Sequence, residues 1–176
     1  MNSVDTEILD LVKKHSSMEA GFRLLMSTYQ EKLYAHIRRM VLSHDDTDDV
    51  LQNTFIKSYR ALNNFQEKSS LYTWLYRIAT NEALTFLESK KRNTVVSMDN
   101  VQVRASHDIP SDDYILEKLR LALDTLPAKQ KLVFNMRYYD EMPYEQMSQI
   151  LDTSVGALKA SYHHALKKIE THLVAG

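Results

Sequence analysis

The sequence has no cysteine. Disulfides, thiolate metal sites and thiol nucleophiles are therefore excluded, and the chain suits a reducing compartment. Glycine and proline are scarce, with three of each in 176 residues. Long stretches are thus free of helix breakers. Strand-like alternation is also sparse, so the expected fold class is all-α. No apolar run approaches the roughly 20 residues that a spanning helix needs. Met1 to Asp10 is acidic and lacks the basic, apolar and small-residue zones of a signal peptide. These absences lead to the expectation of a soluble cytoplasmic protein.

A dominant charge is missing as well, since the formal net charge is −1. Residues 1–92 hold 13 basic and 12 acidic side chains, residues 93–113 one and four, and residues 114–176 eight and seven. Any affinity for nucleic acid must then come from local patches, or from a large partner that makes most of the phosphate contacts.

The 44% of hydrophobic residues is enough for globular packing. A short amphipathic helix is expected over Val4–Lys14. A longer one, Met18–Leu42, carries Phe22, Leu25, Met26, Tyr29, Leu33, Ile37 and Met40 at helical period. A third is expected from about Thr47 to Asn63 and a fourth from Leu71 to Lys91, with a loop at Phe65–Ser70 between them. Residues 93–113 lose periodicity, are rich in Asn, Ser, Asp and Val, and contain Pro110. They read as a flexible acidic linker, or else as a surface loop within one domain; some 20 unstructured residues inside a compact domain are uncommon. Two domains joined by a flexible linker result: 1–92 and 114–176, with the linker 93–113 between them.

The C-terminal block opens with a helix capped by Asp112 or Asp113 and ending at Thr125. Pro127 starts the next, to Tyr139, and Pro143 a third, to Leu151. Asp152-Thr153-Ser154 is a turn, where Asp152 tolerates a left-handed backbone. The last helix runs from Val155 to about Leu173. Two such helices across a turn of about three residues have helix-turn-helix spacing. On the last helix Leu158, Tyr162, Ala165, Ile169 and Leu173 share one face. Ser154, Gly156, Ala157, Lys159, Ala160, His163, His164 and Lys167 lie around the other, and no acid occurs between Thr153 and Lys168. Such a face can enter a major groove, with lysines and the helix N-terminus near phosphates. It also matches the solvated side of an ordinary helical hairpin. Adjacent His163 and His164 point about 100° apart, so shared metal ligation is disfavoured.

In the N-terminal block, Asp45, Asp46, Asp48 and Asp49 stand at the entry to the third helix, where carboxylates favour the dipole. Leu51, Phe55, Ser58, Tyr59 and Leu62 are expected to be buried. Asp49, Gln52, Asn53, Ile56 and Arg60 fall opposite. A branched apolar side chain among hydrogen-bonding groups fits the centre of a small protein interface. The fourth helix begins with Tyr72, Trp74 and Tyr76 and ends with Lys90, Lys91 and Arg92. Those aromatics either stack on bases of single-stranded nucleic acid or form a core.

Three stretches in this order resemble the sigma-70 family of bacterial transcription initiation factors, in particular its small extracytoplasmic-function group. They are Asp49-Val50-Leu51-Gln52-Asn53-Thr54-Phe55, Thr73-Trp74-Leu75-Tyr76-Arg77-Ile78-Ala79-Thr80-Asn81, and Tyr144–Leu151 with Gly156, Lys159 and Ala165. The resemblance covers about Met18–Arg92 (region 2) and Tyr114–Leu173 (region 4). It implies two helical domains, no cofactor and no enzymatic activity. It implies docking on core RNA polymerase through Asp49, Gln52, Asn53 and Ile56. Recognition and melting of the minus-10 element would fall to Ser69, Tyr72, Trp74, Arg77, Asn81, Lys90, Lys91 and Arg92. Reading of the minus-35 element would fall to the exposed face of the last helix. Promoter DNA and an anti-sigma factor are the further partners implied, and the free chain is expected to be monomeric. Thr85 and Glu88 depart from the family pattern, as do Ser161, His164 and Leu166 where Arg is frequent. A conventional two-domain helix-turn-helix regulator and a sigma-like adaptor that binds a regulatory protein are the other readings.

Overall fold

The computed structural model describes residues 3–14, 17–96 and 114–174, with side chains given for all of these except 93–96 and 114–117. Eight helices occur among them: α1 (Ser3–Lys13), α2 (Met18–Val41), α3 (His44–Leu62), α4 (Leu71–Val96), α5 (Tyr114–Asp124), α6 (Ala128–Tyr138), α7 (Tyr144–Leu151) and α8 (Val155–Val174). They fall into two compact units, one centred on α1–α4 and the other on α5–α8. No described helix is long and apolar enough to cross a membrane.

In the first unit α1 lies along α2. Ile8, Leu9 and Val12 are buried against Leu25, Tyr29 and Leu33, the expected α2 stripe. The two backbones approach closely at Gly21, where a Cβ would stand 2.9 Å from Val12 Cγ2 and 3.1 Å from the Ile8 carbonyl oxygen. The Tyr29 hydroxyl donates to buried Asp5, and burial raises the Tyr29 pKa. At the end of α2, Leu42 is left-handed (φ 69°) and returns its N–H to the Arg38 carbonyl. Ser43 then caps α3, accepting from the Asp46 N–H at 3.4 Å. α3 therefore starts at His44, three residues before the expected Thr47.

The rotation of α3 differs from expectation. Its buried residues are Thr47, Val50, Thr54, Ser58 and Leu62. Leu51 and Phe55 are only half-buried, and Tyr59 is exposed. The cause is local hydrogen bonding. Thr47, Thr54 and Ser58 donate their hydroxyls to the carbonyls of Ser43, Val50 and Phe55. Once paired within the helix, these small side chains enter the core without an unmet donor. An apolarity pattern misses them for that reason.

α4 is capped by Ser70, whose hydroxyl accepts the Thr73 N–H at 3.1 Å. It buries Leu71, Leu75, Tyr76, Ala79, Thr80 and Ala83. No glycine or proline interrupts it, and it continues to Val96 rather than ending at Lys91. The expected linker thus loses residues 93–96 to helix, and its remainder, 97–113, lies outside the described residues. The predicted caps Asp112 and Asp113 lie there too.

Between α2 and α4 sits a fully buried histidine. His36 Nδ1 is 2.6 Å from the Tyr76 hydroxyl, and Nε2 is 3.0 Å from Thr80 Oγ1. The Thr80 hydroxyl donates to the Tyr76 carbonyl, so it must accept from His36 Nε2–H. Nδ1 is then the acceptor of the Tyr76 O–H. A closed loop of hydrogen bonds results, and it requires neutral imidazole. Burial, helped by the charge of Arg39, lowers the His36 pKa from 6.5 to about 3.

In the second unit Ala122, Leu123, Leu126, Phe134, Ala165 and Ile169 form a buried cluster, with Tyr162 and Leu173 packed against it. Leu132, Met136, Met147, Ile150 and Leu158 of α6, α7 and α8 are buried as well. Pro127 and Pro143 occupy the N-cap positions of α6 and α7, one residue outside the expected helix starts. Asp152 is left-handed (φ 50°, ψ 44°) at the end of α7, and Ser154 accepts the Ala157 N–H at 3.3 Å.

The buried neutral histidine predicts acid sensitivity. Below pH 6.5 the unfolded chain takes up a proton that folded His36 refuses, so stability falls with falling pH. Between pH 6.5 and 3 the loss from this group is about 1.4 kcal/mol per pH unit. His36→Gln, which keeps a donor and an acceptor, is expected to flatten that slope by one proton in urea titrations taken across the range.

Candidate functional site

Three surfaces collect the residues singled out by the sequence. The first is an open groove between α2 and α3. Phe22 and Met26 of α2 face Leu51, Phe55, Ile56 and Tyr59 of α3, and Glu19, Arg23, Asp48, Gln52 and Arg60 surround them. Phe22 meets Phe55 edge-on at 6.2 Å and Tyr59 at 4.9 Å. Ile56 is 42% exposed and Tyr59 40%. The expected interface residues Gln52 and Ile56 line this groove. Asp49 and Asn53 are exposed on α3 but are not among its lining residues. Sequence reasoning missed Leu51, Phe55 and Tyr59 because it expected them to be buried, and Phe22 and Met26 because it read them only as part of the apolar period of the second helix. Their signal was an apolar set on α3 too broad for one stripe. Charged and amide groups around an apolar floor match the anatomy of a protein interface.

The second surface is the loop before α4 and the exposed side of that helix. Phe65 packs on Trp74 with ring centroids 5.2 Å apart. Tyr72 lies 5.8 Å from Tyr29 and 5.5 Å from Tyr76, with Lys32 Nζ 5.8 Å from its ring centroid. Tyr76 is fully buried, whereas Tyr72 and Trp74 are half-buried. The aromatic run therefore serves the core and also leaves ring surface open. Trp74, Arg77 and Asn81 share one face by helical spacing, and Arg77 and Asn81 are exposed. Ser69 is half-buried, with its hydroxyl 3.3 Å from the Ser70 carbonyl. Glu67 has a positive φ of 56° and pairs with Lys13 at 2.9 Å, tying the loop to α1. Lys91 and Arg92 are exposed, but Lys90 is paired with Asp46 at 2.6 Å. One of the four entry acids of α3 thus holds a basic residue expected to face DNA.

The third surface is α7–α8. Leu158, Ala165 and Ile169 are buried and Tyr162 and Leu173 half-buried. Ser154, Gly156, Ala157, Lys159, Ala160, His163, His164 and Lys167 are all exposed. Met147 and Ile150 anchor α7 beneath. Arg137 and Tyr144 escaped the sequence reading as neighbours of this face. The Arg137 guanidinium lies 5.3 Å from the Tyr144 ring centroid, and Lys159 Nζ 5.7 Å. Only the folded arrangement of α6, α7 and α8 brings them together. Among the described residues, no group of three or more His, Asp or Glu is placed to hold a metal ion.

Comparison with known proteins agrees with this geometry. Residues 25–93 match the model of Sigma-70 region 2, and residues 116–169 that of Sigma-70, region 4. The ECF RNA polymerase sigma-E factor of Haemophilus influenzae is 33% identical over 167 residues, 87% of each chain. That of Escherichia coli K12 is 31% identical over 179 residues, 94% of this chain and 92% of the relative. Two solved structures share the fold. One is the sigma factor RpoE with the anti-sigma factor NepR from Bartonella quintana, at TM-score 0.71 and 22% identity over 86% of this chain and 96% of that one. The other is CnrH with the cytosolic domain of CnrY, at TM-score 0.70 and 19% identity over 98% and 96%. The chain thus belongs to the extracytoplasmic-function group of the sigma-70 family and is an alternative sigma factor that directs transcription initiation.

Proposed function

We propose that the chain is a cytoplasmic promoter-specificity subunit with no catalytic site of its own, and that its three surfaces divide the work. Residues 1–92 form the polymerase-docking and minus-10 module, and residues 114–176 the minus-35 module. The groove between α2 and α3 receives a helical segment of core polymerase. Gln52 and Ile56 contact it directly, and Asp49 and Asn53 flank it. Burial of Ile56, Phe55 and Tyr59 drives docking, while Gln52 and the surrounding charges set register.

Minus-10 recognition falls to α4 and its preceding loop. Trp74 and Tyr72 offer ring surface for unstacked bases, and Ser69, Arg77 and Asn81 offer polar contacts. Unstacking costs a few kcal/mol per base, and stacking on aromatics offsets about 1–3 kcal/mol. Lys91 and Arg92 follow the backbone, and Lys90 joins them only by leaving Asp46.

The observation that carries the reading is the outer surface of α8. Its seven named residues, and Ser154 just before it, are exposed and free of acid, while the opposite face is buried. This surface reads the upstream element. With few lysines and a near-neutral chain, it needs polymerase as a scaffold, so that two weak modules act at high effective concentration. One solved structure of the same fold was captured with the anti-sigma factor NepR and the other with the cytosolic domain of CnrY, which supports an anti-sigma factor as a further partner.

Run-off transcription with purified core polymerase on a promoter library tests the assignment. Sequence-selective initiation is expected, and its absence would sink it. For docking, Gln52→Ala with Ile56→Glu is expected to weaken polymerase binding by about 30-fold or more, a hot-spot loss, with unchanged helical circular dichroism. Unchanged affinity would move the docking site elsewhere. Lys159→Ala with Lys167→Ala should lower the salt slope of upstream-duplex retention by about two, near one per phosphate contact. An unaltered slope would show that neither lysine meets a phosphate.

A further inference from the structure

Tyr144, the first residue of α7, lies between two cations at the foot of the reading helix. Lys159 Nζ is 5.7 Å from its ring centroid and the Arg137 guanidinium 5.3 Å. Both distances lie within the range of cation–π attraction. Arg137 is half-buried and donates from Nη1 to the Met142 carbonyl at 3.2 Å, so it is fixed to the loop before α7. Lys159 is exposed, and its four-carbon stem is flexible.

The ring itself is well supported. Tyr144 meets Tyr162 edge-on at 6.4 Å, Tyr162 lies nearly parallel to Phe134 at 5.9 Å, and Phe134 belongs to the buried core. Burial pushes the Tyr162 phenol up, so the ring beneath Tyr144 stays uncharged at neutral pH. A line of three aromatic rings thus runs from the core of the unit to one lysine on its reading surface.

We propose that Tyr144 is a positioning residue that holds Lys159 in its DNA-reading orientation before DNA arrives. The inference rests on the promoter-reading role of α8 given above. A free lysine loses rotamer entropy when DNA immobilises it. A lysine already restrained by a ring loses less. The attraction is also weak enough at an exposed site to be exchanged for a phosphate or a base edge. Tyr144 therefore acts through Lys159.

The test uses the full chain, alone and with core polymerase. In the free chain, ring current should shift the Lys159 ε-methylene protons upfield, and the shift should vanish in Tyr144→Leu and persist in Tyr144→Phe. With core polymerase, the probe is a duplex carrying the upstream part of a promoter recovered in the run-off assay. Tyr144→Leu should weaken selective retention about threefold, and Tyr144→Phe should restore it. In the Lys159→Ala background, Tyr144→Leu should have no further effect. A purely structural role would weaken both backgrounds equally and would overturn the inference. So would tighter binding by Tyr144→Leu, which would mean that the ring sequesters Lys159, and so would an unshifted ε-methylene signal. Loss of selective retention already in the unaltered protein would instead overturn the promoter-reading role, and with it the use of the restrained lysine.

Discussion

The hydroxyls of Thr47, Thr54 and Ser58 each donate to a carbonyl within or next to their own helix, and this sets the rotation of α3. Paired in this way, they can be buried with Val50 and Leu62 without leaving an unmet donor in the core. Larger apolar residues are then forced to the edge. Leu51, Phe55, Ile56 and Tyr59 form half of an open groove, and Phe22 and Met26 form the other half. Turned about 100°, the helix would bury these residues and the groove would not exist. The groove thus follows from the hydrogen bonding of three small residues about a quarter-turn away on α3.

A similar constraint acts on α4. His36, Tyr76 and Thr80 close a hydrogen-bond loop between α2 and α4. A buried polar group with every atom satisfied favours one arrangement over its neighbours, because any slip leaves donors or acceptors unpaired. Trp74, Arg77 and Asn81 project from the helix that this loop anchors. In the proposed role of binding melted DNA, this surface gains from a fixed backbone beneath it, since less ordering is then required on binding. Lys13 with Glu67 restrains the preceding loop, and Lys90 with Asp46 ties the far part of α4 to α3. Both pairs are exposed enough that they add little to stability. Their consequence is for orientation: they decide which charges face outward.

The second unit is smaller and depends on aromatic packing. Phe134 contacts Tyr138, Tyr139 and Tyr162, and Tyr162 supports Tyr144. The left-handed Asp152 lets α8 leave α7 after three residues of turn. That tight turn aims the acid-free side of α8 outward. In the proposed function, polymerase and the first unit share with this helix the cost of binding DNA.

Helical period alone determined much of this. The helices, their approximate ends, the inward face of α8 and the turn at Asp152 follow from spacing, from scarce glycine and proline, and from the absence of acid between Thr153 and Lys168. Family motifs added the expected roles of the three segments, since they lie in contiguous stretches. Tertiary structure decided what depends on contacts between distant residues. The sequence pattern put Leu51, Phe55 and Tyr59 in the core, because apolarity cannot register that a threonine has already satisfied its own hydroxyl. It ended α4 early, because weak helix formers such as Val95 and Val96 carry no helical period of their own. His36 lies 40 and 44 residues from its partners, and Tyr144 meets Lys159 only across the α7–α8 turn. Neither pairing leaves a trace in local periodicity. Burial, paired polar groups and the final direction of each cation are properties of packing, and packing is what the linear order of residues leaves open.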